Sequence, residues 1–161
     1  MEQALERIRK AVRRDSEKRL TTLWHHVYSE ATLREAYRKL NPKSSPGVDG
    51  QRWQEYGEEL DDRIGELSAR LKRMGHRPQA VLRRYISKEN GKQRPIGIPV
   101  LEDKIVERAL VMVLEVIYEE QFANFSYGFR PGRSQHKALD ALYMGVISRK
   151  VNWVLDADLS G

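Results

Sequence analysis

The sequence predicts a helix-dominant α+β fold, and three observations predict it. Apolar residues recur every three or four positions through most of the 161 residues, which is the period of an amphipathic helix. Two short runs rich in β-branched residues flank Glu89-Asn-Gly-Lys92, a strong hairpin signal. A third such run, Val151 to Leu159, closes the sequence and ends in acids. A chain of this length usually forms one compact unit, so one core is expected.

Residues 2 to 28 read as one basic amphipathic helix with Leu5, Ile8, Val12, Leu20, Leu23, Trp24 and Val27 as its stripe. A second short helix is predicted from Ala31 to Leu40. Asn41-Pro-Lys-Ser-Ser-Pro-Gly-Val-Asp-Gly50 is a loop, because two prolines, two glycines and two serines leave no regular alternative. Asp49 is the candidate cap of the next helix, Arg52 to Met74, in which Trp53, Tyr56, Leu60, Ile64, Leu67 and Leu71 are spaced by three or four. Gly75 is its expected stop. Val81 to Ser87 and Gln93 to Ile98 are the hairpin strands, with Pro95 restricting its strand to an edge or bulge. Pro99 suits a first helical turn, and Ile105, Val106, Ala109, Leu110, Val113, Leu114 and Ile117 mark a long buried helix after it. A loop follows over roughly Ala123 to Arg133. Ser134 then caps a helix carrying Ala138, Leu139, Ala141, Leu142 and Val146. The closing run reads as a mostly buried strand with no partner in the sequence, which suggests truncation.

Hydrophobic residues make up 40% and charged residues 32% of the chain, a balance that excludes the disordered and membrane classes. Its apolar runs are too short to span a bilayer, and Met1 to Lys10 has no export-signal core, so a cytoplasmic protein without a membrane partner is expected. With no cysteine, disulfides and thiolate metal sites are excluded. The net charge of +6 permits a polyanionic partner. Its distribution is more informative. From Arg70 to Arg94 nine basic residues face only Glu89, and the sign reverses between Ile96 and Phe122. A local basic patch suits a surface that grips phosphates.

Three places could carry chemistry. Cations beside the Asn-Gly tip could bind phosphate, and the register decides whether they converge. A strict two-residue turn puts Lys88 opposite Gln93 and sends Lys88 and Arg94 to opposite faces. A three-residue loop with left-handed Gly91 instead pairs Lys88 with Lys92 and gathers Lys88, Lys92 and Arg94 on one side. We favour the second, beside the plainer reading of lysines that merely discourage edge pairing. Phe125-Ser-Tyr-Gly-Phe-Arg-Pro-Gly-Arg-Ser134 interleaves aromatics with Arg130 and Arg133, so it could stack on bases and bind phosphate, or plug a core. Asp156 and Asp158 alternate onto one strand face and could hold Mg²⁺, although acids at strand ends are often turn residues. His25, His26, His76 and His136 lack ligand spacing and read as ordinary residues.

The order of four blocks lifts these separate signals. Lys43-Ser-Ser-Pro-Gly-Val-Asp-Gly50, Tyr85-Ile-Ser-Lys-Glu-Asn-Gly-Lys-Gln-Arg-Pro-Ile-Gly-Ile-Pro99, Ser126-Tyr-Gly-Phe-Arg-Pro-Gly-Arg-Ser134 and Leu155-Asp-Ala-Asp-Leu159 resemble the opening blocks of group II intron reverse transcriptases. The resemblance spans about residues 31 to 161. It implies the fingers subdomain of a right-hand polymerase, with a β-hairpin and the first palm strand. It divides the chain into a basic helical extension (1–30), a fingers region (31–150) and the start of the palm (151–161). By resemblance, Asp158 is the first catalytic, metal-binding aspartate, and Asp156 is a tolerant neighbour. Lys88 and Arg94 match cations that hold the incoming nucleotide, with Arg130 in the block that supports template and nucleotide. Lys43, Ser44, Ser45 and Gly47 belong to a loop over the template, and Arg83, Arg84, Lys92 and Arg133 are the expected further RNA contacts. The implied parent makes DNA with dNTPs and Mg²⁺, from a DNA primer on an RNA template, and binds intron RNA. No Tyr-X-Asp-Asp turn occurs in the sequence, so this chain alone is expected not to polymerise. The alternative is a non-catalytic RNA-binding or self-associating module, a homodimer joined through surfaces that a palm would cover.

Overall fold

In the computed structural model of the chain, residues 2–15, 19–87, 91–149, 151, 153 and 155–157 are described. They form a helix-rich α+β fold with a two-stranded antiparallel sheet. The chain divides into two compact units, Met1–Glu120 and Gln121–Gly161, where length alone suggested one.

In the first unit, α1 (Glu2–Arg14) and α2 (Trp24–Tyr28) replace the single expected helix over 2–28. The apolar stripe persists without a continuous helix because Leu20 and Leu23, outside both helices, still pack beside Ile8, Val12 and Val116. Thr21 and Thr22 in this link are β-branched and lose side-chain freedom in a helix. Next, α3 spans Glu30–Lys39. The helix expected over 52–74 is two, α4 (Trp53–Gly57) and α5 (Leu60–Lys72). They part at Gly57, where a side chain would collide with the Tyr37 hydroxyl. That hydroxyl donates to the Trp53 carbonyl at 2.8 Å, while the Trp53 indole donates to the Tyr37 carbonyl at 3.0 Å and stacks on the Tyr37 ring. Asp49 accepts from the Gln51 N–H rather than capping α4, whose first turn is instead closed by Glu55 accepting from the Arg52 N–H at 3.0 Å.

The end of α5 also differs from expectation in detail. Gly75 N–H donates to the Arg70 carbonyl at 2.8 Å and Met74 N–H to the Leu71 carbonyl at 3.0 Å, the paired bonds of a Schellman stop. The left-handed residue is Met74, with φ 56°, and the glycine follows one place later.

Strands β1 (Leu82–Ser87) and β2 (Gln93–Ile98) pair from Leu82 opposite Ile98 to Ser87 opposite Gln93. Both are edges, which accommodates Pro95 opposite Tyr85. Helix α6 (Leu101–Gln121) begins just after Val100, whose carbonyl accepts the Lys104 N–H at 3.1 Å. Pro99 therefore precedes the first turn instead of occupying it. Its buried side is Leu101, Ile105, Ala109, Met112, Val113 and Val116, while Leu110, expected inside, is exposed. Leu101, Ile105, Ala109, Met112 and Val113 complete a core built with Val27, Leu33, Tyr37, Tyr56, Ile64, Leu67 and Leu71 from α2, α3, α4 and α5, while Val116 joins Ile8 and Val12 in a second cluster.

The second unit holds a loop and α7 (Gln135–Arg149). Ser134 caps α7 as expected, accepting the Lys137 N–H on its hydroxyl at 3.2 Å. No residue of α7 is buried, and Leu139, Leu142, Tyr143 and Ile147 are exposed. The strand expected over 151–159 is not seen among its described residues, where Trp153 and Leu155 are about nine-tenths exposed. A strand needs a neighbour to satisfy its backbone, and none is described here.

Candidate nucleic-acid interface

The hairpin register is read from its paired strands. Ser87 opposite Gln93, with Gly91 at φ 74°, is the pairing of the bulged alternative favoured above. Lys88, Glu89 and Asn90 lie outside the described residues. Opposed residues share a face, so Leu82, Arg84 and Ile86 stand with Ile98, Ile96 and Arg94. Arg84 and Arg94 are diagonal neighbours, placing their β-carbons roughly 7 Å apart. Arg83 is on the opposite face with Tyr85, Gly97 and Pro95.

Arg83, Arg84, Lys92 and Arg94 are all exposed. No described acid forms an ion pair with Arg83, Arg84 or Arg94, whereas Arg9, Arg13, Arg34, Arg63 and Arg70 each have an acidic partner. Two arginines side by side repel until an anion lies between them. This face can therefore bind a phosphate with little competition from the described carboxylates.

Loop 41–50 is fixed in the same unit. Ser44 N–H donates to the Asn41 carbonyl at 3.0 Å, Lys43 N–H to the Asn41 side-chain oxygen at 2.9 Å, and Gly50 N–H to the Gly47 carbonyl at 3.2 Å. Lys43 and Ser45 are exposed, Ser44 is half-buried and Gly47 is buried. A β-carbon on Gly47 would stand 2.6 Å from the Val100 Cα and N. Its glycine is thus required by a close approach of two backbones, a role that the sequence reading did not assign to it. Lys104 Nζ donates to the Ser45 carbonyl at 2.6 Å. Burial lowers the Lys104 pKa, with Asp49 and Glu107 opposing the shift.

In the second unit, Arg130 Nη1 donates to the carbonyls of Ala123 at 3.0 Å and Ser126 at 2.9 Å, and its guanidinium lies over the Phe122 ring. It organises the loop from within. Arg133 lies over the Tyr127 ring at 5.1 Å. Phe125 and Phe129 are exposed instead of filling a core, and Phe129 holds φ 54°, a costly conformation for a residue with a side chain. Two unburied rings beside two arginines can stack on bases.

Asp158 lies outside the described residues, and Asp156 is exposed. Among the described residues no three acids or histidines are placed to hold a metal ion. The described part of the chain does not build a Mg²⁺ cage. No described helix is long and apolar enough to cross a membrane.

Sequence reading also passed over His76 and Asp103. The Asp103 side chain is buried and accepts from His76 Nε2 on Oδ1 and from the Gln79 N–H on Oδ2, each at 2.9 Å. A shallow cavity of about 130 Å³ adjoins this pair, lined also by Pro78, Val81, Pro99 and Glu107.

Comparison with known proteins supports the resemblance. A model of the reverse transcriptase (RNA-dependent DNA polymerase) family matches residues 86–161. The chain is 37% identical over 152 residues to Protein YkfC of Escherichia coli K12, covering 91% of this chain and 40% of that protein. It is 32% identical over 158 residues to the group II intron-encoded protein LtrA of Lactococcus lactis, covering 98% of this chain and 26% of that protein. These matches support a relationship to the group II intron-type reverse transcriptases. A shorter match, 39% over 62 residues, reaches nuclear intron maturase 2 of Arabidopsis thaliana and covers 37% of this chain and 8% of that protein. The chain spans less than half the length of YkfC and LtrA. The family match opens at Ile86, in β1, so it takes in β2, α6 and α7 as well.

Proposed function

We propose that residues 31–150 form the fingers of an RNA-directed DNA polymerase, with 151–161 opening its palm and 1–30 a basic extension. In this reading loop 41–50 (Lys43, Ser44, Ser45, Gly47) and the cations Arg83, Arg84, Lys92 and Arg133 contact RNA template or intron RNA. Lys88, Arg94 and Arg130 serve the incoming dNTP. Asp158 is assigned to a Mg²⁺ that, when bound with further acids, supplies the electrostatic stabilisation of phosphoryl transfer. The parent protein extends a DNA primer. Residues 1–161 contain no Tyr-X-Asp-Asp turn, so the chain by itself binds without polymerising.

The observation that supports this reading is the hairpin face, where Arg84 and Arg94 are adjacent, exposed and without an acidic partner among the described residues. Single-stranded RNA binding by the full chain, titrated against salt, tests it. Replacing both arginines by serine should weaken binding and flatten the slope of log affinity against log salt by about 1.4, or 0.7 per lost phosphate contact. Unchanged binding would remove the interface, and Mg²⁺-dependent primer extension by this chain would overturn its assignment as a binder.

A second reading, a self-associating module, is favoured by the exposed apolar residues of α7, Leu139, Leu142, Tyr143 and Ile147. Light scattering after size exclusion separates the two, because a monomer at high concentration rejects a homodimer.

A further inference from the structure

Three consecutive side chains in the first turn of α6 each hold a different segment. Glu102 accepts from Arg70 Nη2 of α5 at 2.6 Å and from the Tyr56 hydroxyl of α4 at 3.4 Å. Asp103 accepts from His76 and from the Gln79 N–H, in the strap that runs from α5 into β1. Lys104 donates to the Ser45 carbonyl of loop 41–50. Successive helical residues project about 100° apart, so one turn fans out toward three neighbours.

Asp103 is the buried member of the three, at 6% relative exposure. An ionised carboxylate is costly to bury unless its oxygens are satisfied, and here each oxygen has a donor. A leucine, branched at the same γ-carbon though bulkier, would carry no charge to bury, but it would leave the Gln79 N–H without its acceptor. What the carboxylate adds is direction, since two hydrogen bonds fix the strap from two sides. Lys104, the next residue, does the same for the loop. Gly47 lets that loop approach the Val100 backbone closely enough for the Lys104 bond to form.

We propose that Asp103 and Lys104 are positioning residues that hold the hairpin and loop 41–50 at a set separation, so that nucleic-acid phosphates meet a preformed surface. The inference rests on reading that hairpin and loop as a nucleic-acid grip. Neither residue touches the ligand. Loosening either lowers the fraction of molecules in the competent arrangement, and the observed affinity falls by that fraction. The bound complex keeps its phosphate contacts, so the salt slope stays as in the wild type.

The test uses the full chain and a fluorescently labelled oligouridylate of about 20 nucleotides, measured by anisotropy over a salt series. Asp103→Leu should bind about tenfold more weakly with the slope retained. Asp103→Asn should stay within about twofold, because its amide oxygen takes the Gln79 N–H and its NH₂ can donate to the other His76 tautomer. Lys104→Met should weaken binding by about threefold, with Lys104→Arg restoring it. Arg84→Ser/Arg94→Ser is the control for the grip. If that double variant binds like the wild type, the grip itself is wrong. If it weakens while Asp103→Leu and Lys104→Met do not, the positioning role is wrong. Should Asp103→Leu fail to fold by circular dichroism, the Lys104→Met and Lys104→Arg pair decides.

Discussion

Gly47→Ala is the sharpest structural perturbation available in loop 41–50. The new methyl would lie 2.6 Å from the Val100 Cα and N and 2.8 Å from the Pro99 carbonyl carbon, where carbon atoms ordinarily meet at about 3.5–4.0 Å. Roughly 1 Å must be opened, and every atom in the way is backbone. Val100 is 1% exposed, so the start of α6 cannot retreat without disturbing the core. If both backbones strain, the cost is that of overpacking, about 1–3 kcal/mol. If the loop lifts instead, the Lys104 bond to the Ser45 carbonyl is lost, about 1.5–3 kcal/mol for a charged donor. Either route gives about 2 kcal/mol, or a fall in Tm of about 4–8 °C for a chain of this size. Gly50→Ala is the control, since it has φ 69° and no neighbour within 4 Å and should cost only about 1 kcal/mol of backbone strain. Urea melts of both variants measure the difference. A Gly47→Ala protein as stable as the wild type, or less perturbed than Gly50→Ala, would refute the close approach and with it the docked loop.

Other predictions follow from the same packing. Met74 is exposed and left-handed at the end of α5, so Met74→Gly should stabilise by up to about 1 kcal/mol in urea unfolding, offset in part by unfolded-chain entropy. Burial, then Glu102, raises the Tyr56 pKa, and burial raises that of Tyr37. Because the folded state favours the neutral phenols, stability should fall as pH rises above about 10. In an ultraviolet titration Tyr37 and Tyr56 should ionise after the exposed tyrosines, and Tyr37→Phe and Tyr56→Phe should each remove one late step. Burial, then His25, lowers the His26 pKa. The unfolded chain then takes up the proton first, so stability should fall on acidification through about pH 6.5. His26→Gln should flatten that part of the profile, and an unchanged pH dependence would count against the packing of α2.

What sequence alone made legible was whatever local chemistry decides. Asn90-Gly91 located the hairpin but left two registers open, and the one that gathers the cations on one side, favoured on that ground, is the one the pairing of Ser87 with Gln93 matches. Ser134 announced α7 by equally local chemistry. The misplaced boundaries are tertiary in origin. Leu20 and Leu23 look helical because they reach the same apolar cluster as Ile8 and Val12, yet they do so from a non-helical link. The 52–74 helix parts after Gly57, where Tyr37, twenty positions away, leaves no room for a side chain. His76 showed no pattern with other histidines, since its partner is a carboxylate 27 residues later. Asp103 looked like an ordinary acid favourable to a helix N-terminus. A Glu-Asp-Lys run at the start of a buried helix was the only available signal, and nothing in it says which of the three turns inward.

The hairpin of the first unit and the 122–134 loop of the second, each taken by itself, differ in how their cations are held, and the difference bears on what each can do. In the hairpin, Arg83, Arg84 and Arg94 are exposed with no described acidic partner, so their charge is available at the cost of ordering long side chains when a phosphate arrives. In the 122–134 loop, Arg130 has already given that freedom up to backbone carbonyls and the Phe122 ring. Its role is to shape the loop that exposes Phe125 and Phe129. A mobile cation with a compact charge partner favours strength that fades with salt. A preset aromatic surface contributes stacking, which depends little on ionic strength. Removing Arg84 and Arg94 should therefore change the salt slope, whereas removing Phe125 or Phe129 should lower affinity by a similar factor at every salt concentration.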